Sequence, residues 1–378
     1  MPAQHMLLLS HDDDAYLPMY NRLTGEIVRS FAPSFTSASP VFSADGTKLA
    51  TGFSSAPRYR VIDPDTGVLV TGLPNIAGIP IDMDLSPNGQ RLAIVHATSP
   101  RFSVVDLVSK TLVAGSKVYG SDPRSVRYSP DGTMIAVSSI SFPRTEIFLN
   151  SDLSLIQSLT NPAATIPEGA AWSPDGSMLA QGFGGAPYIC AWETTGWTLV
   201  PGLPVMSSTV TKVSWSPDGA YIACALSSAP FLAVIRVSDW TVLSGVYAPG
   251  SAVSRVAYSP NNELAVTFTN APHAVILSQD GSTVLWQQDP TLVKALGVAW
   301  SPASALQTIS GTVLDTNGAP AVRDLLLMHA ASAAIIGQTT SAADGSYAFE
   351  TGYADGHTVL LLEDTGRVQA IGGGVLPL

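Results

Sequence analysis

Histidines, cysteines and clustered carboxylates are the side chains of this sequence that could carry chemistry, and they are sparse. The six histidines, His5, His11, His96, His273, His329 and His357, stand isolated from one another. There is no Gly-x-Ser-x-Gly elbow, no His-Glu-x-x-His and no phosphate-binding glycine loop ending in Lys. Cys190 and Cys224 have no metal-ligand spacing and sit at strand-like positions, where a thiol acts as a small buried apolar group. Asp12, Asp13 and Asp14 offer oxygen ligands of the kind Ca²⁺ takes, but without the spacing of a dedicated loop they read as a solvated acidic turn. His11, His96 and His273 fall at unequal places along the chain and do not form a ligand set. The expectation is a protein that is not an enzyme, with no catalytic residues, no cofactor and no metal.

The elements that would position any site follow from a repeat. An aromatic or apolar residue followed by Ser and a turn pair recurs at Phe42-Ser43-Ala44-Asp45-Gly46, Leu85-Ser86-Pro87-Asn88-Gly89, Tyr128-Ser129-Pro130-Asp131-Gly132, Trp172-Ser173-Pro174-Asp175-Gly176, Trp215-Ser216-Pro217-Asp218-Gly219, Tyr258-Ser259-Pro260-Asn261-Asn262 and Trp300-Ser301-Pro302-Ala303-Ser304. Successive serines lie 43, 43, 44, 43, 43 and 42 residues apart, the period of one four-stranded propeller blade. Apolar residues two apart, such as Val213 and Trp215, make the first strand, and Pro-Asp-Gly makes the turn after it. An Ala at 50, 93, 136, 180, 223 and 265 recurs on the second strand, as close packing of neighbouring sheets requires. A Pro-containing turn then leads to a third strand, such as Tyr59 to Asp63, and a short outer strand, such as Val68 to Val70. Trp172, Trp215 and Trp300 share the first-strand site and read as inter-sheet core.

The ends of the array complement each other. Met6 to Phe31 supplies strands two to four of a blade without a first, and Ala295 to Ser301 supplies a first strand with nothing after it. Joined, they complete a seventh blade and leave no open edge at the seam. The sequence thus predicts an all-β fold whose seven-bladed propeller, residues 1–304, is closed by N- and C-terminal strands in one blade. Over this span it resembles WD-repeat propellers, although Gly-His dipeptides are missing and Ile62-Asp63, Val105-Asp106 or Trp192-Glu193 stand where Trp-Asp is usual. A candidate interaction rim gathers Asp12, Asp13, Asp14, His96, Ser99, Tyr119, Asp122 and Arg144, in second-to-third-strand turns and blade-to-blade connections.

Residues 305–378 break the period. Asn317-Gly318 and Asp344-Gly345 are hairpin signals between alternating strands, one of them Thr358 to Leu362. The segment resembles the carboxypeptidase-regulatory-like (transthyretin-like, Ig-like) β-sandwich. Ser310-Gly311-Thr312-Val313, Thr339-Thr340-Ser341, Thr351-Gly352-Tyr353-Ala354-Asp355-Gly356-His357 and Glu363-Asp364-Thr365-Gly366 resemble more closely the C-terminal modules of tailed bacteriophage and prophage virion proteins.

Composition limits the function classes. Net charge is -11 and there is no run of Lys or Arg, which argues against a phosphate-tracking surface, so nucleic acid is not an expected partner. Hydrophobic residues make up 46%, which favours extensive burial over disorder. Met1 to Ser10 lacks a basic signal region and no apolar run is long enough to insert in a membrane. The resemblance implies a non-enzymatic structural protein of the virion, made in the host cytoplasm, in the tail tip, tail fibre or adsorption apparatus. Its partners would be other virion proteins and a host cell-surface glycan or protein, with the chain present in many copies or as a homo-oligomer. The alternatives are a cellular WD-repeat-like interaction scaffold and a propeller hydrolase, lactonase-like or glycan-acting, with its site in the central channel.

Overall fold

The computed structural model describes residues 6–11, 17–21, 27–31, 37–54, 56, 58–64, 67–113, 122–140, 145–160, 165–288, 295–300, 307–312, 319–320, 322, 324–329, 335–344, 346–351, 357–362 and 368–375. These are strands and turns, arranged as a β-propeller. Five consecutive antiparallel sheets have four strands each and begin with the inner strands Pro80–Leu85, Pro123–Tyr128, Pro167–Trp172, Val210–Trp215 and Val253–Tyr258. A sixth joins the two ends of the array, with Ala295–Trp300 paired to Met6–His11 and followed by Leu17–Asn21 and Ile27–Phe31. Its register places Leu7 opposite Trp300 and Leu9 opposite Val298, the pairing expected from the two incomplete repeats.

The expectation of seven full blades is corrected to six. The sheet of Ser37–Phe42, Leu49–Phe53 and Tyr59–Ile62 has three strands, and Val68 to Val70 contributes only an isolated bridge from Ile62 to Leu69. The chain turns away at once, at Gly72 (φ 78°) and Pro74, where a longer outer strand would have to continue. The third strand also stops at Ile62 rather than Asp63.

Two further antiparallel sheets follow the propeller repeats. One pairs Gln307–Thr312 with Ser346–Thr351, and the other orders Ile335–Thr340, Asp324–His329, His357–Leu362 and Val368–Val375.

The recurrent Ser-x-Asp turn is a closed hydrogen-bond unit. Ser173 Oγ donates to Asp175 Oδ1 at 2.6 Å and accepts the Met178 N–H at 2.9 Å, while Asp175 Oδ1 accepts the Ser177 N–H at 3.0 Å. The Gly that ends the turn has φ near +71°, as at Gly176, and Asn262 takes the same conformation (φ 63°) in the copy without Gly. Ser278 and Asp280 repeat the unit between the third and fourth strands of their blade, at a place the period does not mark. Each carboxylate is thereby used to end one strand and start the next.

Blades stack through the motif aromatics and the small second-strand residues. Trp172, Trp215 and Trp300 donate their indole N–H to Arg127 O, Ala171 O and Ala257 O, each on the preceding inner strand, at 3.2, 3.1 and 3.0 Å. Ala180, Val213 and Trp215 belong to one buried cluster spanning two blades, with Ile189, Met206 and Cys224. A small residue at 180 lets the next sheet approach, and the indole then ties the two sheets together. Cys190 and Cys224 are free and buried, and burial pushes their thiols up to about 11 and about 12, so they act as apolar filling.

Candidate functional site

The inner strand of a propeller blade is a sheet edge facing the central channel, so its alternate side chains and its unpaired N–H groups point into one shared space. The positions four and two residues before each motif Ser read Ser39, Asp82, Ser125, Gly169, Lys212, Arg255, Gly297 and Val41, Asp84, Arg127, Ala171, Ser214, Ala257, Ala299. Five of these are charged. Asp82, Asp84, Arg127, Lys212 and Arg255 line a cavity of about 440 Å³ whose other walls include Val41, Ala171, Val256 and Ala299.

Part of this polar set serves the fold. Asp82 Oδ2 accepts the Val126 N–H at 3.2 Å and Asp84 Oδ2 the Tyr128 N–H at 2.7 Å, both on the next inner strand. Ser125 Oγ does the same for Ala170 N at 3.4 Å, and Ser214 Oγ for Tyr258 N at 3.2 Å. A side chain from one blade thus satisfies an edge N–H of the next, where an unpaired buried donor would be costly.

The charges exceed what that capping needs. Arg127 Nη1 pairs with Asp82 Oδ2 at 2.6 Å, with the Asp82 side chain almost fully buried and Arg127 in contact with the channel. Burial pushes the Asp82 carboxyl up, but Arg127, Lys212 and Arg255 outweigh it and hold the group below its ordinary value. Asp84 is pushed up to about 7, by burial first and then by Asp82, against the pull of Arg127 and the Tyr128 N–H. Lys212 is pulled down to about 8 by burial and by the like charges of Arg255 and Arg127, with Asp82 and Glu168 opposing. Three cations therefore gather with Asp82 and Asp84, the second held near half-ionisation at neutral pH, and Glu168 acts on Lys212 as well.

Of the predicted rim residues, His96, Ser99 and Asp122 lie among the described residues. His96 is fully buried, so its assignment to an exposed rim is corrected. His96 is the last residue of strand Arg91–His96 and its imidazole faces inward, with Nε2 3.0 Å from Ser103 Oγ. Burial lowers its pKa. Ser99 and Asp122 are exposed, and Arg101, from the Ser99 turn, forms an ion pair with Asp122. Asp12, Asp13, Asp14, Tyr119 and Arg144 lie outside the described residues.

Sequence reasoning missed the five channel charges. The signal was available, because aligning the repeats on the motif Ser collects them in two columns of otherwise small residues. No cluster of His, Cys, Asp or Glu among the described residues could hold a metal ion. No helix among them is long and apolar enough to cross a membrane.

Comparison with known families matches residues 202–229 to the WD domain, G-beta repeat. This stretch runs from the end of one blade through the first two strands of the next and contains the Trp215-Ser216-Pro217-Asp218-Gly219 turn. No curated protein matches the chain. The β-propeller fold and a WD-type repeat within it are what the geometry and the family match establish together.

Proposed function

We propose that the chain is a non-enzymatic assembly platform of a tailed-phage particle, in which a seven-sectored propeller carries a C-terminal β-sandwich module. In this reading the three-stranded sheet is the seventh sector, residues 1–304 form the platform, and the sheets after 305 form the sandwich. The phage context rests on the resemblance of residues 308–378 to virion modules, and the platform role on the outer surface of the blades.

The observation that carries the platform role is the outer strands. In the five complete blades whose side chains are described, these strands read Thr-Leu, Leu-Ile-Gln-Ser-Leu, Thr-Leu, Thr-Val and Val-Leu-Trp-Gln, with no charged residue. Leu112, Leu155, Ile156, Leu199, Val242 and Leu285 are exposed there, Leu155 and Leu285 at 50% and 51%. Exposed edge strands of proteins that work alone are normally guarded by Lys, Pro or inward charges. A ring of aliphatic edges suits a protein whose blades are covered by neighbours in an assembly.

The channel favours binding over hydrolysis. The serine hydroxyls among its lining residues, Ser43 and Ser214, are already engaged, Ser43 with Asp45 and Ser214 with the Tyr258 N–H. Ser43 is bound into its turn, donating to Asp45 and accepting the Lys48 N–H, and Ser214 is spent on an edge N–H of the next blade. A cellular interaction scaffold shares the platform logic and draws support from the WD-type repeat.

Electron microscopy of purified particles carrying a gold-labelled C-terminal tag tests the reading. The expected result is label at the tail tip, fibre or adsorption apparatus. Particles without label, with the tagged protein recovered in host complexes, would replace this reading with the scaffold.

A further inference from the structure

A sheet that does not close on itself has two edge strands, whose outward N–H and C=O groups can pair with another chain. The four-stranded sheet near the C-terminus has Ile335–Thr340 at one edge and Val368–Val375 at the other. Ile335–Thr340 lies against Ile27–Phe31, the outer strand of the blade that joins the two ends of the propeller. The molecule thus already sets one blade's outer strand beside an edge of this sheet. Val368–Val375 pairs with His357–Leu362 on one side, and no described strand pairs with its other side. At eight residues it is the longest strand among those described, and it reads Val-Gln-Ala-Ile-Gly-Gly-Gly-Val, with no charge and no proline.

The blades differ in the length of edge they offer. Outer strands Thr111–Leu112, Thr198–Leu199 and Thr241–Val242 have two residues each, too few to guide a long partner. Leu155–Leu159 has five, as does Ile27–Phe31, and Val284–Gln287 has four. Leu155–Leu159 is therefore the best match in length to the strand that already faces the C-terminal sheet. It pairs with Thr145–Leu149 on one side and with no described strand on the other. It carries no charged residue, and its Leu155 and Ile156 are 50% and 40% exposed. Two uncharged edges without proline lack both the repulsion and the missing donor that normally keep sheets apart. Gly372, Gly373 and Gly374 carry no side chains to crowd an incoming strand, the kind of position where another backbone approaches closely.

We propose that strand Val368–Val375 of one copy docks along Leu155–Leu159 of a second copy, adding a fifth strand to that blade. The two surfaces differ, so the contact is head-to-tail: each copy offers one donor edge and one acceptor edge, and copies join into a closed ring or an open row. Main-chain hydrogen bonds supply the pairing, and Leu155 and Ile156 supply apolar surface to bury. The inference rests on reading the outer strands as covered in an assembly, and it names what covers one of them.

Sedimentation velocity on the full chain at rising concentration, to about 0.5 mM, tests it. The expected result is reversible association of the parent, weakened at least about tenfold by Leu155→Lys on one edge and by Ile371→Lys on the other. Leu285→Lys, at an equally exposed leucine of the outer strand Val284–Gln287, should leave association unchanged. Each blocked variant keeps one intact edge, so an equimolar mixture of Leu155→Lys and Ile371→Lys should form dimers and nothing larger. Circular dichroism checks that each variant folds. If Ile371→Lys does not, hydrogen exchange in the parent decides: the Leu155–Leu159 amides should exchange more slowly as concentration rises, and those of Thr241–Val242 should not. A monomeric parent, association untouched by Leu155→Lys or equally lost in Leu285→Lys, a mixture that stays monomeric, or exchange indifferent to concentration would each overturn the proposal. A monomeric parent leaves the particle reading to the labelled microscopy, and particles without label leave this contact standing if the purified chain associates.

Discussion

Replacing Asp82 by Asn removes one charge from the channel while keeping the shape and the acceptor for the Val126 N–H. What is lost is the Coulomb attraction to Arg127 at 2.6 Å and the shielding of Arg127 from Lys212 and Arg255. At charge centres about 4 Å apart and an effective dielectric constant of about 20, the attraction alone is about 4 kcal/mol. Contact of Arg127 with channel water and the relief of desolvating the carboxylate offset part of this, leaving an expected loss of about 2 to 3 kcal/mol. Urea unfolding at pH 7, followed by fluorescence and circular dichroism together, measures it. A double-mutant cycle with Arg127→Met isolates the pair and should give a coupling of at least about 1.5 kcal/mol. Raising NaCl from 0.05 M to 1 M should change that coupling little, because the pair lies inside the ring rather than on an exposed surface. A loss or a coupling below about 0.5 kcal/mol would show that the channel charges are held independently of one another, and the account of the site would fail.

Trp215→Ala should cost about 3 to 5 kcal/mol by opening a cavity between two blades, and Trp215→Phe about 1 to 2 kcal/mol through the lost bond to Ala171 O and the smaller ring. Denaturant melts separate these, and an Ala variant as stable as the parent would mean the blades do not stack through this residue. Asp175 is held below the usual carboxylate range, first by the Ser173 hydroxyl and then by the Ser177 N–H, and Asp45, Asp131, Asp218 and Asp280 are lowered too. A lowered folded-state pKa contributes stability that is present above the unfolded value, about 4, and is lost as pH falls through the folded value. The urea midpoint should therefore drop steeply below about pH 4, and less so in Asp175→Asn; a midpoint flat to pH 2.5 would contradict the turn's role. Deleting residues 1–31 strips Ala295–Trp300 of its partner Met6–His11 and should abolish the single cooperative melt, whereas an unchanged melting temperature would show that the ring closes without those strands.

Much of the fold was legible because a blade is a local object. The Ser-Pro-Asp-Gly turns, the positive φ at their last residue, the buried Trp215 and the six small residues of the second strands each depend on neighbours within one or two repeats, and each is where the spacing put it. The meeting of Met6–His11 with Ala295–Trp300 was legible for a different reason, since two incomplete repeats at opposite ends leave edges that only each other can fill. His96 was read as part of the rim from its nearness to the Thr98-Ser99-Pro100 turn, but it is the last residue of strand Arg91–His96 and its side chain faces the core, which the repeat period does not register. Val68 to Val70 pairs with the third strand as a single bridge rather than a full strand, because an outermost strand is held on one side only and a nearby Gly and Pro suffice to turn it away.

The sequence by itself determined the β-propeller, its blade period and the chemistry of its turns, because those rest on short-range steric and hydrogen-bonding rules that repeat every 42 to 44 residues. Only the tertiary structure decided that Asp82, Asp84, Arg127, Lys212 and Arg255 share one cavity. Each is an ordinary polar residue on its own strand. Closing the ring turns positions separated by up to 173 residues into neighbours, and their pKa values and ion pair arise from that convergence.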